Sequence, residues 1–506
     1  MSSTLILTLL ISYFAILILI AFVTSKNADT ETFFTGNRQS PWYLVAFGMI
    51  GASLSGVTFV SVPGTVVNDG FGYYQVVLGY IIGYIVIAQV LMPLYYRLNV
   101  ISIYQYLEQR FGKISYKTGS SFFILSRTLG SAVRLYLATM VLHYFLLEDL
   151  GLSYWMTAVL TIVLIWIYTF KGGIKTIVYT DTFQTFFLVS SVVICTVIIC
   201  KILGLDFSQL YDAISALKTR HETSMTKLIY LDDYKSHIFF PKQFFGGMFI
   251  AIAMTGLDQD MMQKNLTCKT LKDAQKNMYS FTTVLVLTNF LFLFLGGALY
   301  VYALQMGVDL PSKDGKVITD HVFPHLALNE FPKIGWIGTV AGSFFLLGII
   351  ASSYASADSA LAALTTGFCI DFLDIEKKDE KTRSRLKLYT HIGFSLLFLF
   401  IILGTKWFVS NNPGMDLIGI ILKVAGYTYG PLLGLFAFGI ISKRKLRETL
   451  VPVICCLTPI ICFILDKNAM EWFNGYRFSY EILILNGTLT YLGLYFISYK
   501  QQAQLA

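Results

Sequence analysis

Charge is the scarcest feature of this sequence. Only 13% of its 506 residues are Asp, Glu, Lys or Arg, whereas 55% are hydrophobic. Because a soluble chain carries about 25% charged residues, the composition excludes an ordinary soluble protein. Apolar runs of about 20 residues recur along the chain, and this is the length that an α-helix needs to cross a bilayer. The sequence therefore predicts an all-α polytopic membrane protein.

Three further absences restrict the class of protein to which this sequence can belong. The seven cysteines show no metal-ligand spacing, so we expect them to be small buried residues. The helices contain no paired acid and base and no metal cluster, which argues against an enzyme. The first apolar segment lacks a preceding basic region and a clean cleavage site, so we predict a retained helix and not a signal peptide.

Hydropathy predicts about thirteen transmembrane helices. They lie near residues 5–24, 42–66, 73–97, 120–147, 151–170, 176–203, 240–263, 279–306, 335–369, 387–408, 416–442, 448–466 and 478–498.

The positive charges predict how these helices are oriented. Lys and Arg cluster in alternate short loops, starting with the loop after the first helix. The net charge of +8 therefore reflects membrane topology and not nucleic-acid binding. The positive-inside rule places the N-terminus outside and the C-terminus in the cytoplasm. The expected location is the plasma membrane, or the inner membrane if the source is bacterial.

The second and seventh predicted helices are both interrupted by glycine. The second contains Gly48, Gly51 and Gly56, and the seventh contains Gly256 followed by Asp258. They lie five helices apart in opposite predicted orientations, a pattern that indicates an inverted-repeat transporter. Where a helix unwinds, its freed carbonyls need partners, and a cation or solute can supply them. The alternative is that small residues merely let helices pack closely.

The ninth predicted helix carries hydroxyls where apolar residues are expected. Ser352, Ser356 and Ser359 share one face, and Ser353 borders it. Neutral oxygens suit a partly dehydrated Na⁺. The alternative is that these hydroxyls bond back to the preceding turn.

Two carboxylates within predicted helices require partners or protons. Asp358 projects away from the serine face, and one hypothesis pairs it with Arg134 of the fourth helix. Alternatively, Arg134 or Arg127 faces an anionic solute. Asp181 in the sixth helix is predicted to neutralise a cation or to carry a proton.

Several motifs in combination resemble the sodium:solute symporter family, which includes sodium-coupled sugar, proline, sialic acid and monocarboxylate transporters. The motifs are ETFFTGNR, LSGVTFVSVPG, GGIKTIVYTDTFQ, LDQDMMQKNLTCK and the serine pair of the ninth helix.

The resemblance covers nearly the whole chain and implies a leucine-transporter-type fold of two inverted five-helix repeats. Residues 1–506 would form one membrane domain. Its expected parts are an N-terminal helix and loop (1–41), a first repeat (42–203), an external loop (204–239), a second repeat (240–442) and two C-terminal helices (443–506).

The resemblance also implies sodium sites. The main Na⁺ site would use carbonyls and hydroxyls of Gly51, Leu54, Ile349, Ser352 and Ser353. A second site, found in some members, would use Asp181, Ser352 and Ser356. Ala355 stands where those members carry a hydroxyl, so one Na⁺ per solute stays an alternative.

The implied solute site lies between the two interrupted helices. Its expected residues are Ser53, Ser55, Thr58, Tyr80, Met254, Thr255 and Arg134. The carboxylate-binding arginine of the sialic acid transporters aligns near Gly130–Ser131, a turn from Arg134. That offset favours an uncharged solute, whereas Arg134 and Lys423 favour an anion.

These features predict Na⁺-coupled symport of a small polar solute, a monosaccharide or sugar derivative being preferred. The alternatives are Na⁺-coupled uptake of sialic acid or another carboxylate, and proton-coupled symport through Asp181. A channel would need a continuous polar stripe, whereas this chain concentrates its polarity at the interrupted helices. The oligomeric state is not predicted.

Overall fold

A computed structural model describes residues 3–26, 29–148, 151–170, 172–313, 315–411 and 417–500. The chain is largely helical. Its helices are α1 (Ser3–Thr24), α2 (Thr30–Thr35), α3 (Trp42–Ser53), α4 (Gly56–Asp69), α5 (Tyr74–Val86), α6 (Met92–Leu98), α7 (Gln105–Arg110), α8 (Lys113–Leu142), α9 (Tyr154–Thr169), α10 (Gly173–Leu203), α11 (Phe207–Ala216), α12 (Phe240–Ala251), α13 (Gln259–Leu266), α14 (Leu271–Met306), α15 (Thr319–His325), α16 (Trp336–Asp371), α17 (Glu380–Asn411), α18 (Leu417–Ile441), α19 (Val451–Trp472) and α20 (Glu481–Phe496).

Strands are short and peripheral in the described part of the chain. β1 (Ser312–Lys313) pairs antiparallel with β2 (Lys316–Val317), and β3 (Lys445–Leu446) pairs antiparallel with β4 (Ser498–Tyr499). The second pair joins the segment after α18 to the segment after α20.

The polytopic helical architecture predicted from hydropathy is confirmed. Within the described residues, each of the thirteen predicted segments is largely helical. Among the described residues, eight helical stretches are long and apolar enough to cross a membrane. The count of thirteen crossings, the two inverted repeats and the orientation of the termini stay predictions.

Both glycine-containing segments are broken helices. α3 ends at Ser53 and α4 begins at Gly56, separated by Leu54 (φ −86°, ψ 81°) and Ser55 (φ −64°, ψ 164°). The second break follows α12, where a π-helical turn (Ile252–Gly256) leads to α13. Such π-helical turns are frequent at functional sites.

The long helices pack in two groups. In the first group α14 contacts α3, α4 and α5, and α5 contacts α12. In the second group α8, α9, α16 and α17 all contact one another, and α16 also contacts α3 and α4 of the first. α10 packs against both α3 and α16. The break between α3 and α4 therefore lies where the two groups meet.

Two glycines bring α5 and α12 into backbone contact. A Cβ atom added at Gly79 would lie 2.0 Å from the Phe244 carbonyl oxygen, and one at Gly247 would lie 2.2 Å from that of Val76. Small residues at such crossings let membrane helices gain close packing that larger side chains prevent.

We expect Gly79→Ala and Gly247→Ala each to lower the unfolding free energy by about 1–3 kcal/mol, the usual cost of overpacking. Thermal unfolding in detergent, followed by intrinsic fluorescence, measures this effect. Gly393→Ala on α17 is the matched control, because a Cβ there meets no described atom within 4 Å. Equal melting temperatures for all three variants would contradict the close crossing.

Candidate functional site

The first break frees backbone carbonyls at the centre of the molecule. The Leu54 amide donates to the Ile50 carbonyl at 2.8 Å, which closes the last turn of α3. Because Leu54 and Ser55 leave the helical conformation, the carbonyls from Gly51 to Leu54 point beyond the helix end. Thr185 of α10 supports this end by accepting from the Gly51 amide at 2.9 Å.

The serine pair of α16 lies against this break. A Cβ atom added at Gly56 would lie 2.1 Å from the Ser353 Oγ and 3.5 Å from the Ser352 Oγ. Ser352 also donates to the Ile349 carbonyl at 3.1 Å. The arrangement therefore brings Ser352 and Ser353 of the predicted main Na⁺ site against the start of α4, next to the break that contains Leu54.

The predicted second Na⁺ site contains a cation supplied by the chain itself. The Lys264 Nζ of α13 lies 2.6 Å from the Asp181 Oδ2, and each side chain is 1% exposed. Within the described part of the chain, the Asp181 Oδ1 and the Ser356 Oγ have no hydrogen-bond partner.

The predicted ion pair between Asp358 and Arg134 is wrong. Asp358 is fully buried and accepts a hydrogen bond from Tyr168 of α9 at 2.8 Å. Arg134 instead faces a cavity beside α17 and α18. The reason is directional, because the two side chains leave their helices toward different neighbours although α8 and α16 touch.

Buried charges surround α13. Arg127 of α8 forms an ion pair with Asp260, and its Nη1 lies 3.7 Å from the Asp258 Oδ2. Asp258 also caps α13 by accepting from the Asp260 and Met261 amides, and it accepts from the Tyr429 hydroxyl. Pairing of this kind is what makes buried charges tolerable.

A cavity of about 400 Å³ lies beside this charged cluster. It is lined by apolar residues with a few polar ones from α8, α17 and α18 and the π-helical turn: Ser126, Arg127, Leu129, Gly130, Ser131, Val133, Arg134, Met254, Ile401, Gly404, Thr405, Phe408, Val424, Ala425 and Tyr429. Arg134 forms no ion pair within 4 Å with any described acidic residue. The Arg127 Nε and Ser131 Oγ also lack partners among the described residues.

The cavity includes only part of the predicted solute site. It brings Arg134 and Met254 together, whereas Ser53, Ser55, Thr58 and Tyr80, all described, lie outside its lining. Thr255 belongs to the same π-helical turn as Met254.

Tyr84 of α5 is buried, and its hydroxyl lies near Ser53 at the first break and Thr255 at the second. Ser55 is buried at the start of α4, and Thr58 is half-buried in its first turn. Tyr80 instead lies with its hydroxyl 3.5 Å from that of Tyr73. The side chain of Lys423 lies outside the described residues.

The sequence did not predict two of these contacts. Tyr168 and Lys264 each find a partner on a distant helix. The one available signal was the spacing of Asp260 and Lys264, four residues apart in LDQDMMQK, which places them on the same helix face.

Comparisons with known proteins agree with this architecture. The model of the sodium:solute symporter family matches residues 33–448. The sodium/sialic acid symporter SiaT of Proteus mirabilis is 23% identical over 95% of this chain and 93% of its own length. The sodium-coupled monocarboxylate transporter 1 of Xenopus laevis is 27% identical over 83% of this chain and 64% of its own length.

Solved structures show the same fold. A Na⁺-coupled sialic acid symporter in a substrate-bound outward-open state aligns with a TM-score of 0.79 at 20% identity, covering 98% of this chain and 99% of its own. Mhp1, a nucleobase-cation-symport-1 family transporter, aligns with a TM-score of 0.55 at 13% identity, covering 92% and 93%.

These relatives are transporters and not enzymes, as the sequence predicts. The family match spans most of the chain and includes both breaks, the serine pair and Lys264. This multi-span membrane protein belongs to the sodium:solute symporter family, whose members couple solute movement to Na⁺.

Proposed function

We propose that this protein imports a small carboxylated solute together with Na⁺. The observation that carries the proposal is Arg134, a guanidinium on the cavity wall without a described acidic partner. A guanidinium on a mostly apolar wall is costly unless it meets a negative charge. The planar guanidinium also matches a carboxylate in shape, because it can donate two parallel hydrogen bonds.

The cavity suits a solute of modest size. About 400 Å³ lies at the lower end of the range for ligand pockets, and the wall is mostly apolar with a few polar groups. Two relatives are named for transport of carboxylates, namely sialic acid and monocarboxylates. These features support an anionic solute over the uncharged monosaccharide that the sequence favours.

We place the main Na⁺ between the first break and the serine pair. The carbonyls of Gly51, Leu54 and Ile349 and the hydroxyls of Ser352 and Ser353 would be its ligands. Oxygen ligands of this kind suit a hard monovalent cation. Because the ligands come from α3 and α16, bound Na⁺ would hold the two packing groups together.

Coupling follows from this placement. Na⁺ orders the break between α3 and α4, and Tyr84 lies near both Ser53 at that break and Thr255 beside the cavity. By linkage, Na⁺ raises solute affinity by the same factor by which solute raises Na⁺ affinity. Rocking of one group against the other, as two inverted repeats would permit, then exposes both sites to the cytoplasm.

Proton coupling through Asp181 is the weaker alternative. A carboxylate that binds and releases protons during transport must lose its charge at one stage. Here the Lys264 ammonium lies 2.6 Å from the carboxylate and stabilises its charged form. The pair therefore supports Na⁺ over a proton as the coupling ion.

The first prediction concerns the charge of the solute. In NaCl, we expect sialic acid or pyruvate, but not glucose, to raise the melting temperature of the purified protein, and we expect no rise in choline chloride. Arg134→Gln should weaken binding of the active carboxylate by about 10- to 100-fold, the value of a charged hydrogen bond. The matching amide should bind wild type and Arg134→Gln equally. A stronger response to glucose, unaffected by Arg134→Gln, would exclude the carboxylate.

The second prediction concerns Ser353. Removal of its hydroxyl in Ser353→Ala should lower Na⁺ affinity at least about 10-fold, because one oxygen ligand of a charged ion is lost. The Na⁺ concentration that gives half-maximal thermal stabilisation measures this change. Ser343→Ala is the control, since that serine lies on the same helix and only bonds back to Thr339 at 2.8 Å. If the half-maximal Na⁺ concentration were the same in Ser353→Ala as in Ser343→Ala and the wild type, the result would argue against the site.

A further inference from the structure

Asp181 and Lys264 form an ion pair that neither helix could bury alone. Asp181 lies on α10 and Lys264 on α13, and both side chains are almost fully buried. The Lys264 Nζ has a second acidic neighbour, the Asp260 Oδ1 at 3.9 Å. The Asp260 Oδ2 is already engaged by Arg127. The ammonium therefore lies between two carboxylates, closer to Asp181.

Side-chain hydrogen bonds hold α13 in position and so limit where the Lys264 ammonium can reach. Gln259 accepts from the Ile103 amide at 2.9 Å and donates to the Ile101 carbonyl at 2.8 Å. Gln263, beside Lys264, donates to the Phe34 carbonyl at 2.7 Å and to Thr366 at 2.9 Å. Because Gln259 and Gln263 hold α13 at two points, the Lys264 side chain is kept close to Asp181.

We propose that the Lys264 ammonium is the permanent cation of Asp181, so that the transporter binds a single Na⁺. The inference deepens the proposed sodium symport and rests on it. Asp181 needs one positive charge, and the chain already provides it. A Na⁺ bound to the same carboxylate would be repelled by the neighbouring ammonium, and this repulsion is strong in a medium of low dielectric constant.

The surroundings of Asp181 show what removal of the lysine would expose. Within the described residues, the Asp181 Oδ1 and the Ser356 Oγ have no hydrogen-bond partner. Without the ammonium, the carboxylate would remain buried and uncompensated, a condition that proteins avoid by binding a cation or a proton. Loss of Lys264 should therefore create a Na⁺ site that the natural chain does not have.

The test counts Na⁺ ions on the purified full-length protein, with ²²Na⁺ in equilibrium dialysis and without solute. We expect one Na⁺ in the wild type and two in Lys264→Met. Lys264→Arg, which keeps the charge, should bind one. The double variant Lys264→Met with Asp181→Asn should also bind one, because the new site has lost its carboxylate.

Ala355→Ser supplies a measurement that does not depend on a folded Lys264 variant. It adds a hydroxyl near the pair but leaves the ammonium in place, so it should still bind one Na⁺.

Two ions on the wild type or on Ala355→Ser would overturn the inference and leave the main site intact. A folded Lys264→Met that binds one ion would also overturn it. Failure of the proposed main site gives a different result: the wild type then binds no Na⁺, or its single Na⁺ survives Ser353→Ala.

Discussion

A backbone carbonyl that loses its helical partner inside a bilayer must find another one, because no water is available there. The two breaks meet this requirement differently. At the second, Tyr95 and Tyr104 donate to the carbonyls of Gly256 and Leu257, each at 2.9 Å. At the first, serine hydroxyls of α16 approach from the opposite packing group. The freed carbonyls and these hydroxyls together offer neutral oxygen ligands to a cation, and this is why we place Na⁺ at the first break.

The second break carries fixed charge where the first carries neutral oxygen. α13 and its N-cap Asp258 together hold two aspartates and a lysine within seven residues, and their partners come from α8, α10 and α18. These partners hold the cluster from three directions by two ion pairs and a hydrogen bond, so α13 is bound electrostatically as well as by packing. Arg134 lies at the edge of this cluster but outside its pairs, which leaves its charge available to the cavity.

The sequence predicts local features well and partnerships poorly. Hydropathy locates each helical segment because length and apolarity are properties of the segment itself. The motif resemblance predicts that Gly51 and Ser353 belong to one site, and Ser353 does lie beside the break that follows Gly51. In contrast, a helical wheel gave Asp358 a direction but could not tell which helix lies in that direction, and Tyr168 is there instead of Arg134. Lys264 was missed for the same reason, since its partner lies 83 residues earlier.

The two ion pairs of α13 set a physical condition on any separation of the helices around it. Arg127 and Lys264 connect α13 to α8 and α10, so any motion that separates these helices also separates opposite charges. In a dry interior that separation is prohibitively costly, whereas in contact with water it is inexpensive. Separation of α13 from α8 or α10 is therefore least costly where water reaches the two ion pairs.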